Sequence, residues 1–182
     1  MTEKEIIIAQ TKKWIVDVVV GCNFCPFAAP VVKAGTIHYE VIENADAQTT
    51  LEALMNAFAV LDANEDIETM FLILPHRFSS FDEYLGLVEL SDSLLADQGK
   101  EGIYQVASFH PAYIFDGSTE EDPSNYTNRS PYPMLHLLRE ESVSRAIDSF
   151  PGTEKIPQRN IKFARQKGII YMRSLWESTF KA

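Results

Sequence analysis

The sequence has few cysteines, few basic residues and no long apolar run, and each shortage excludes a class of protein. Two cysteines occur among 182 residues, so a structural zinc site built on four cysteines is excluded. Lysine and arginine number 16 against 26 aspartates and glutamates, for a formal net charge of −10. Because DNA, RNA and anionic membranes bind basic surfaces, no nucleic-acid or membrane partner is expected. The most apolar stretch, "WIVDVVVG", is too short to cross a bilayer and includes Asp17.

Several nucleotide-binding and catalytic motifs are also absent. The chain has no Gly-x-Gly-x-x-Gly, no P-loop, no Gly-x-Ser-x-Gly and no EF-hand loop. These absences argue against dinucleotide cofactors, P-loop chemistry and hydrolase triads. The stretch "MTEKEIII" lacks the positive region and the cleavage site of a signal peptide. We therefore expect a cytoplasmic protein, in which the sequons at Asn125 and Asn128 have no meaning for glycosylation.

The composition is that of a protein with its own core. Hydrophobic residues make up 46% of the chain, which is enough to bury a core and argues against global disorder. The length suits one domain. We predict that residues 1–182 form a single domain, with residues 168–182 as a candidate C-terminal extension.

Local signals predict a series of helices. Thr2 and Glu5 have the spacing of a capping box, so a first helix should begin at Thr2 and stop at Gly21. The β-branched run at residues 15–20 weakens this prediction, because it also suits a strand. Further helices are predicted over "TTLEALMNAFAVLDA", after Ser80, from Pro131 or Pro133 to about Phe150, and from Pro157 to Gly168.

Three strands are predicted between these helices. The alternation in "TIHYEVIE" indicates a half-buried strand, and the continuous apolar run "TMFLILP" is typical of a central one. "GIYQVASFHP" supplies the third. Strands that alternate with helices favour crossover connections, so we predict an α/β (or α+β) layered sandwich. Its small, mostly parallel sheet would be flanked by helices and would carry a long ordered loop.

The segment from Phe109 to Glu140 is unusually long for a connection in a compact domain. It leaves the carboxyl end of the third predicted strand, where α/β sheets bind ligands. If that strand and "TMFLILP" run parallel, His76 and His110 lie at the same edge. The turn-forming parts of the segment are rich in side chains that cap backbone groups, so we expect an ordered loop that lines a site.

Five motifs together resemble an uncharacterised bacterial family, the domain-of-unknown-function 1415 family. They are "CPFA", "QVASFHP", "NYTNRSPYP", "LHLLRE" and "IPQRN". The resemblance extends from about Trp14 to about Gly168 and implies no established activity. It implies a single cysteine, at Cys25, so that Cys22 is a departure from the family pattern.

Cys22 and Cys25 have CxxC spacing, which occurs in redox pairs and in halves of zinc sites. The pair follows a predicted helix and precedes a proline, which is the wrong context for a thioredoxin-type motif. Two ordinary thiols therefore explain the spacing better. Cys25 alone remains a candidate nucleophile, and its alternative is a buried cysteine in a turn.

His110 and His136 bracket the long loop and are candidate catalytic acid/base residues. If His136 lies on a helix, Glu140 shares its face, and His110, His136 and Glu140 could bind a divalent metal. The spacing is unspecific, and the alternative for either histidine is a ring packed under a loop and bonded to backbone carbonyls.

Arg129 and Arg139 are candidates for binding a carboxylate or phosphate, since a guanidinium binds such groups through two parallel hydrogen bonds. Asn125 and Asn128 could add donors to the same site. The structural alternative is equally open: these side chains satisfy the backbone of a buried loop, and Arg139 pairs with a carboxylate.

Two functions from different classes follow. The first is an enzyme acting on a small anionic metabolite, with histidine as acid/base or metal ligand and arginine as the anion receptor. The second is a non-catalytic binding or protein-interaction module that uses the loop at residues 109–140. Exposed tyrosines in a flat loop would favour the second function. The sequence indicates neither the substrate nor the oligomeric state.

Overall fold

A computed structural model describes all residues, 1–182, as a four-stranded sheet with helices on both faces. The α/β layered class is therefore confirmed. The helices are α1 (Glu3–Trp14), α2 (Ala28–Ala34), α3 (Ala47–Ala63), α4 (Phe81–Asp97), α5 (Glu140–Ser149), α6 (Ile156–Lys167) and α7 (Ile169–Ser178). The strands are β1 (Ile37–Val41), β2 (Thr69–Ile73), β3 (Tyr104–Phe109) and β4 (Met134–Arg139).

The sheet has the order β1-β2-β4-β3 and is mixed. β1 pairs with β2 in parallel, whereas β4 runs antiparallel to both of its neighbours, β2 and β3. The expected mostly parallel sheet is thus corrected to one parallel and two antiparallel pairs. β1, β2 and β3 still point the same way, so His76 and His110 do follow strands that end at one edge.

The helix predicted from Pro131 or Pro133 to about Phe150 is wrong in its first half. Residues 134–139 form β4, and α5 begins only at Glu140. The error has a physical cause: Met134, Leu135 and Leu137 are buried on both faces of a central strand. A strand buried on both faces has no period-two alternation, so "MLHLLR" cannot be told from a helical segment by its pattern.

Each face of the sheet covers its own apolar cluster. Leu72, Leu135 and Leu137 point toward α3 and α4, where Phe58 and Tyr84 join them. Alternate residues of the same strands point to the other face, which is covered by α1, α6 and α7. The second cluster includes Trp14, Phe24, Phe71, Met134 and Met172. Residues 168–182 therefore contribute to the core through α7, since Met172 is fully buried.

Most other predicted elements are confirmed. Thr2 caps α1 with the reciprocal Thr2–Glu5 bonds of a capping box. β2 is a central strand, buried at every position. Gly168 caps the end of α6 with a positive φ of 82°. None of the helices combines the length and the apolar character that a membrane span requires.

The β-branched run after α1 forms a π-helix, Ile15–Val20, and not a strand. Its end is closed by Gly21, whose N–H donates to the carbonyl of Val16, five residues back. A Cβ added at Gly21 would lie 2.3 Å from the carbonyl oxygen of Asp17. Glycine is therefore required at this position by close backbone contact, and not by an unusual φ, which is −61°.

We expect Gly21→Ala to lower the free energy of unfolding by about 1–3 kcal/mol, because the added methyl group must displace a backbone carbonyl. Gly86→Ala is the matched control. Gly86 lies inside α4 with open space around its Cα, so alanine should stabilise the protein by about 0.5–1 kcal/mol. Urea unfolding of both variants measures the difference, and an unaltered Gly21→Ala protein would show that the π-helix can relax.

Candidate functional site

The connection between β3 and β4 folds around the side chain of Asn125, which is fully buried. Its Oδ1 accepts from the Phe115 N–H at 3.1 Å and from the Ser118 hydroxyl at 2.9 Å. Its Nδ2 donates to the Thr119 carbonyl at 2.8 Å. Since these bonds use both ends of the amide, Asn125 holds the loop together and has little capacity left for a ligand.

Arg129 is buried in the same loop and is bonded to its backbone. Nε donates to the Tyr113 carbonyl at 3.1 Å, and Nη2 donates to the Glu120 carbonyl at 2.8 Å. The guanidinium carbon lies 4.8 Å from the centre of the Tyr126 ring, within cation–π range. The geometry favours the architectural role for Arg129 over anion recognition.

His110 is buried where the connection begins, and both of its ring nitrogens are occupied. Nδ1 accepts from the Ala112 N–H at 3.0 Å, so the ring proton is on Nε2, which donates to the Phe78 carbonyl at 2.7 Å. Desolvation lowers the pKa of His110, and the bond to Phe78 opposes this only in part. A neutral ring bonded at both nitrogens has none free for proton transfer, which favours its structural role.

The hydrogen bond from His110 also restrains Phe78, whose backbone has an unusual conformation. Phe78 has a φ of 57°, in the left-handed region that bulky residues rarely adopt. Asn23 is the other non-glycine residue with a positive φ, at 54°. Its carbonyl accepts a bond from Arg159. In both cases a side chain distant in sequence binds the carbonyl of the left-handed residue.

Arg139 lies at the far end of β4 from the long connection. Met134, at the near end, pairs with Phe109, whereas Arg139 pairs with Tyr104. Five residues of strand separate the two ends by about 17 Å. The guanidinium donates to the carbonyl of Leu61 at 2.7 Å and to that of Ile67 at 3.0 Å, at and beyond the end of α3. It therefore bonds helix-end carbonyls and not the expected carboxylate.

His136 is the predicted catalytic residue that keeps a free nitrogen. It lies in β4, opposite Phe71 of β2. The Thr69 hydroxyl donates its single proton to the Leu137 carbonyl at 2.5 Å and therefore accepts from Nε2 of His136 at 2.6 Å. Nδ1 is then the unprotonated nitrogen. It has no hydrogen-bond partner in the protein, on a side chain that is half-buried.

Aromatic rings hold the His136 imidazole in place. It stacks on Phe71 with ring centres 3.9 Å apart, and Phe71 stacks in turn on Tyr39 at 5.9 Å. Phe109 lies 6.0 Å away in a tilted arrangement. Desolvation by this environment lowers the pKa of His136 to about 3. The imidazole is therefore neutral at physiological pH and presents Nδ1 as a hydrogen-bond acceptor.

The predicted metal site is not assembled. No group of three or more histidine, cysteine, aspartate or glutamate side chains is placed to hold a metal ion. The expected helical pairing of His136 with Glu140 fails because His136 lies in a strand and Glu140 begins α5. Four residues of extended chain span about 13 Å, too far for two side chains to share one ion.

The turn that contains Cys22 and Cys25 meets the start of α6. Asn160 donates to the Phe24 carbonyl at 2.8 Å, and Arg159 donates to the carbonyl of Asn23. Both cysteines are free and half-buried. Desolvation raises the pKa of Cys25, while the N–H groups of Phe27 and Ala28 and the Arg159 charge oppose that rise only in part. The protonated thiol therefore predominates at neutral pH.

Sequence reasoning missed two contributors to these sites. Thr69 orients His136, yet a threonine at the start of an apolar strand gave no signal. Arg159 was visible in "IPQRN", but its approach to the cysteine turn needs contacts across 136 residues. Asn128 is bonded through its backbone carbonyl to the His110 N–H at 3.3 Å, and its Nδ2 has no partner. Its predicted role in substrate binding stays a prediction.

We expect Arg129→Met to lower the free energy of unfolding by about 1–3 kcal/mol, because the carbonyls of Tyr113 and Glu120 would lose the donor that a buried side chain supplies. Arg145→Met is the control. Arg145 is exposed on α5 and pairs with Glu141, so its loss should change stability by less than about 0.5 kcal/mol. Chemical unfolding measures both. Unchanged stability in Arg129→Met would argue that this side chain is kept for a ligand.

Four of the five motifs meet in two places in the structure. Asn160 of "IPQRN" donates to the carbonyl of Phe24, the residue just before "CPFA", and "QVASFHP" contacts "NYTNRSPYP" through His110 and Asn128. No curated protein and no solved structure matches the chain. The model of one family, described as a protein of unknown function (DUF1415), matches residues 6–174. The chain belongs to the DUF1415 family.

Proposed function

We propose that the protein is an enzyme that acts on a small anionic metabolite, with Nδ1 of His136 as the proton acceptor. One observation carries the proposal. The Thr69 hydroxyl fixes the tautomer of His136 and leaves an unprotonated nitrogen without a partner on a ring held by aromatic stacking. A base whose second nitrogen is held by another group is the common arrangement of catalytic histidines.

The low pKa of His136 fits an anionic substrate. A base with a pKa of about 3 is weak at neutral pH, because its protonated form is disfavoured. A negative charge bound within about 4–6 Å favours the imidazolium and raises the pKa. The histidine would therefore become an effective base only when the anion is in place, which couples proton transfer to substrate binding.

We assign the anion to Arg159, which has donors left unpaired. Arg129 and Arg139 are bonded to backbone carbonyls, whereas only Nη2 of Arg159 has hydrogen-bond partners. Its Nε and Nη1 can still donate to a carboxylate or phosphate. Arg159 also lies near Cys25 on the face of the sheet that carries His136, since Phe24 and Phe71 share one apolar cluster. Cys25 remains a candidate catalytic residue.

The alternative function is a non-catalytic binding or interaction module. The loop supports this alternative, because its own side chains hold it together: Asn125 and Arg129 bond loop backbone, and His110 accepts from the Ala112 N–H. The exposed tyrosines that would favour an interface are not present, however. Tyr126 is buried, and Tyr113 and Tyr132 are half-buried. This weakens the loop as an interface and leaves His136 as the stronger candidate.

The test is turnover of a defined mixture of small carboxylic acids and phosphate esters, followed by ¹H NMR in D₂O. The spectra detect the consumption of any component, and the exchange of its C–H protons, whichever reaction the protein catalyses. We expect conversion of at least one component by the wild-type protein. His136→Gln should slow this conversion by about 100-fold or more, the usual contribution of a general base. Arg159→Met should raise the substrate concentration needed for half-maximal rate.

His76→Gln is the matched control, because His76 is exposed and contacts only Glu3. It should leave the rate unchanged. Conversion by His136→Gln at the wild-type rate would refute His136 as the base. Binding of a component without any conversion would favour the alternative module.

A further inference from the structure

A cavity of about 230 Å³ lies between α1, the π-helix, α2 and the edge strand β1. Five of its seven lining residues are hydrophobic, which makes its walls mainly apolar. Its volume lies below the range of about 300–1,000 Å³ that is typical of pockets for drug-sized ligands. Only a compact molecule therefore fits. The lining includes Lys12, Val16, Val32, Ile37 and Tyr39.

The π-helix forms one wall of this cavity. Ile15 and Val16, its first two residues, line the space, with Val16 47% exposed at the opening. A π-helix is rare, and π-turns within helices often occur at functional sites. Here its end requires glycine at position 21, because an added Cβ would lie 2.3 Å from the Asp17 carbonyl oxygen. The sequence therefore specifies the conformation of this wall of the cavity.

Two polar groups at the cavity, on exposed Lys12 and half-buried Tyr39, have no hydrogen-bond partner in the protein. The Lys12 ammonium lies 5.2 Å from the centre of the Tyr39 ring and makes no ion pair or hydrogen bond. Its neighbour Lys13, by contrast, pairs with Asp17 at 2.6 Å. The Tyr39 hydroxyl also has no bond, and burial raises the pKa of Tyr39 to about 12. The phenol therefore keeps its proton at physiological pH and can donate it.

We propose that this cavity binds a small apolar carboxylate, with the carboxylate at Lys12 and Tyr39 and the hydrocarbon part against Val32 and Ile37. One ammonium and one hydroxyl provide a single positive charge and two donor groups, which match the charge and the two oxygens of a monocarboxylate. A phosphate dianion would bring a larger polar surface against mainly apolar walls. Burying that polar surface without partners is unfavourable, so the lining selects the carboxylate.

The site is separate from the one proposed around His136. Tyr39, Phe71 and His136 occupy one row across β1, β2 and β4, so the Phe71 ring lies between the cavity and the imidazole. The inference therefore does not depend on catalysis by His136. If His136→Gln kept the wild-type activity, the proposal of a carboxylate site at this cavity would still stand.

The test is calorimetric titration of the full chain with isovalerate, phenylacetate and hexanoate, each compared with its neutral amide. We expect saturable binding of at least one acid and binding of its amide that is weaker by about tenfold or more. Lys12→Met should weaken acid binding by a similar factor, since methionine keeps the apolar stem and removes the charge. Lys13→Met, the matched control, should bind the acid as the wild type does.

Val16→Phe tests the location independently. Val16 is largely exposed, so a phenylalanine there can fill the opening without crowding the core. It should abolish acid binding while the circular dichroism spectrum and the unfolding midpoint stay close to those of the wild type. Three results would overturn the proposal: no binding of any of the acids, equal binding of acid and amide, or acid binding that survives both Lys12→Met and Val16→Phe.

Discussion

The pairing of β4 on both of its edges is the constraint on which the rest of the structure depends. β4 is the last strand in the chain, yet it lies between β2 and β3. Its register places His136 opposite Phe71 and on the same face as Thr69. A shift by one residue would turn His136 toward α3 and α4 and break its bond to Thr69. The proposed chemistry therefore depends on strand register and not on a flexible segment.

The same constraint explains the composition of the long connection. The chain leaves β3 and returns to its neighbour through residues 110–133, and the backbone groups buried on the way need partners. The side chains of Asn125, Arg129 and His110 supply partners for several of them. The residue types that suggest an anion site in the sequence thus form hydrogen bonds that stabilise the loop. When arginine, histidine and amide side chains cluster in a long loop, a buried polar network is the first interpretation to test, and a ligand site is the second.

Much of the fold could be predicted from local signals, because caps, alternation and apolar runs are local. Thr2, Gly168 and the strand at "TIHYEVIE" are examples. β4 could not be predicted in this way, since its residues are buried from both faces of the sheet and its sequence therefore has no alternation of apolar and polar residues. The candidate site was harder to predict than the fold. His136 was found from its residue type, but its free nitrogen depends on Thr69, 67 residues away, which no spacing in the sequence reveals.

The central claim is that His136 is neutral, protonated on Nε2 and free on Nδ1. Two-dimensional ¹H–¹⁵N NMR of the histidine rings tests it most directly, with single His→Gln variants to assign the four signals. Between pH 8 and pH 5, the account predicts a His136 signal with protonated Nε2, unprotonated Nδ1 and no titration, and Thr69→Val should mix the tautomers. An imidazolium at pH 6, or a ring protonated on Nδ1, would contradict the account.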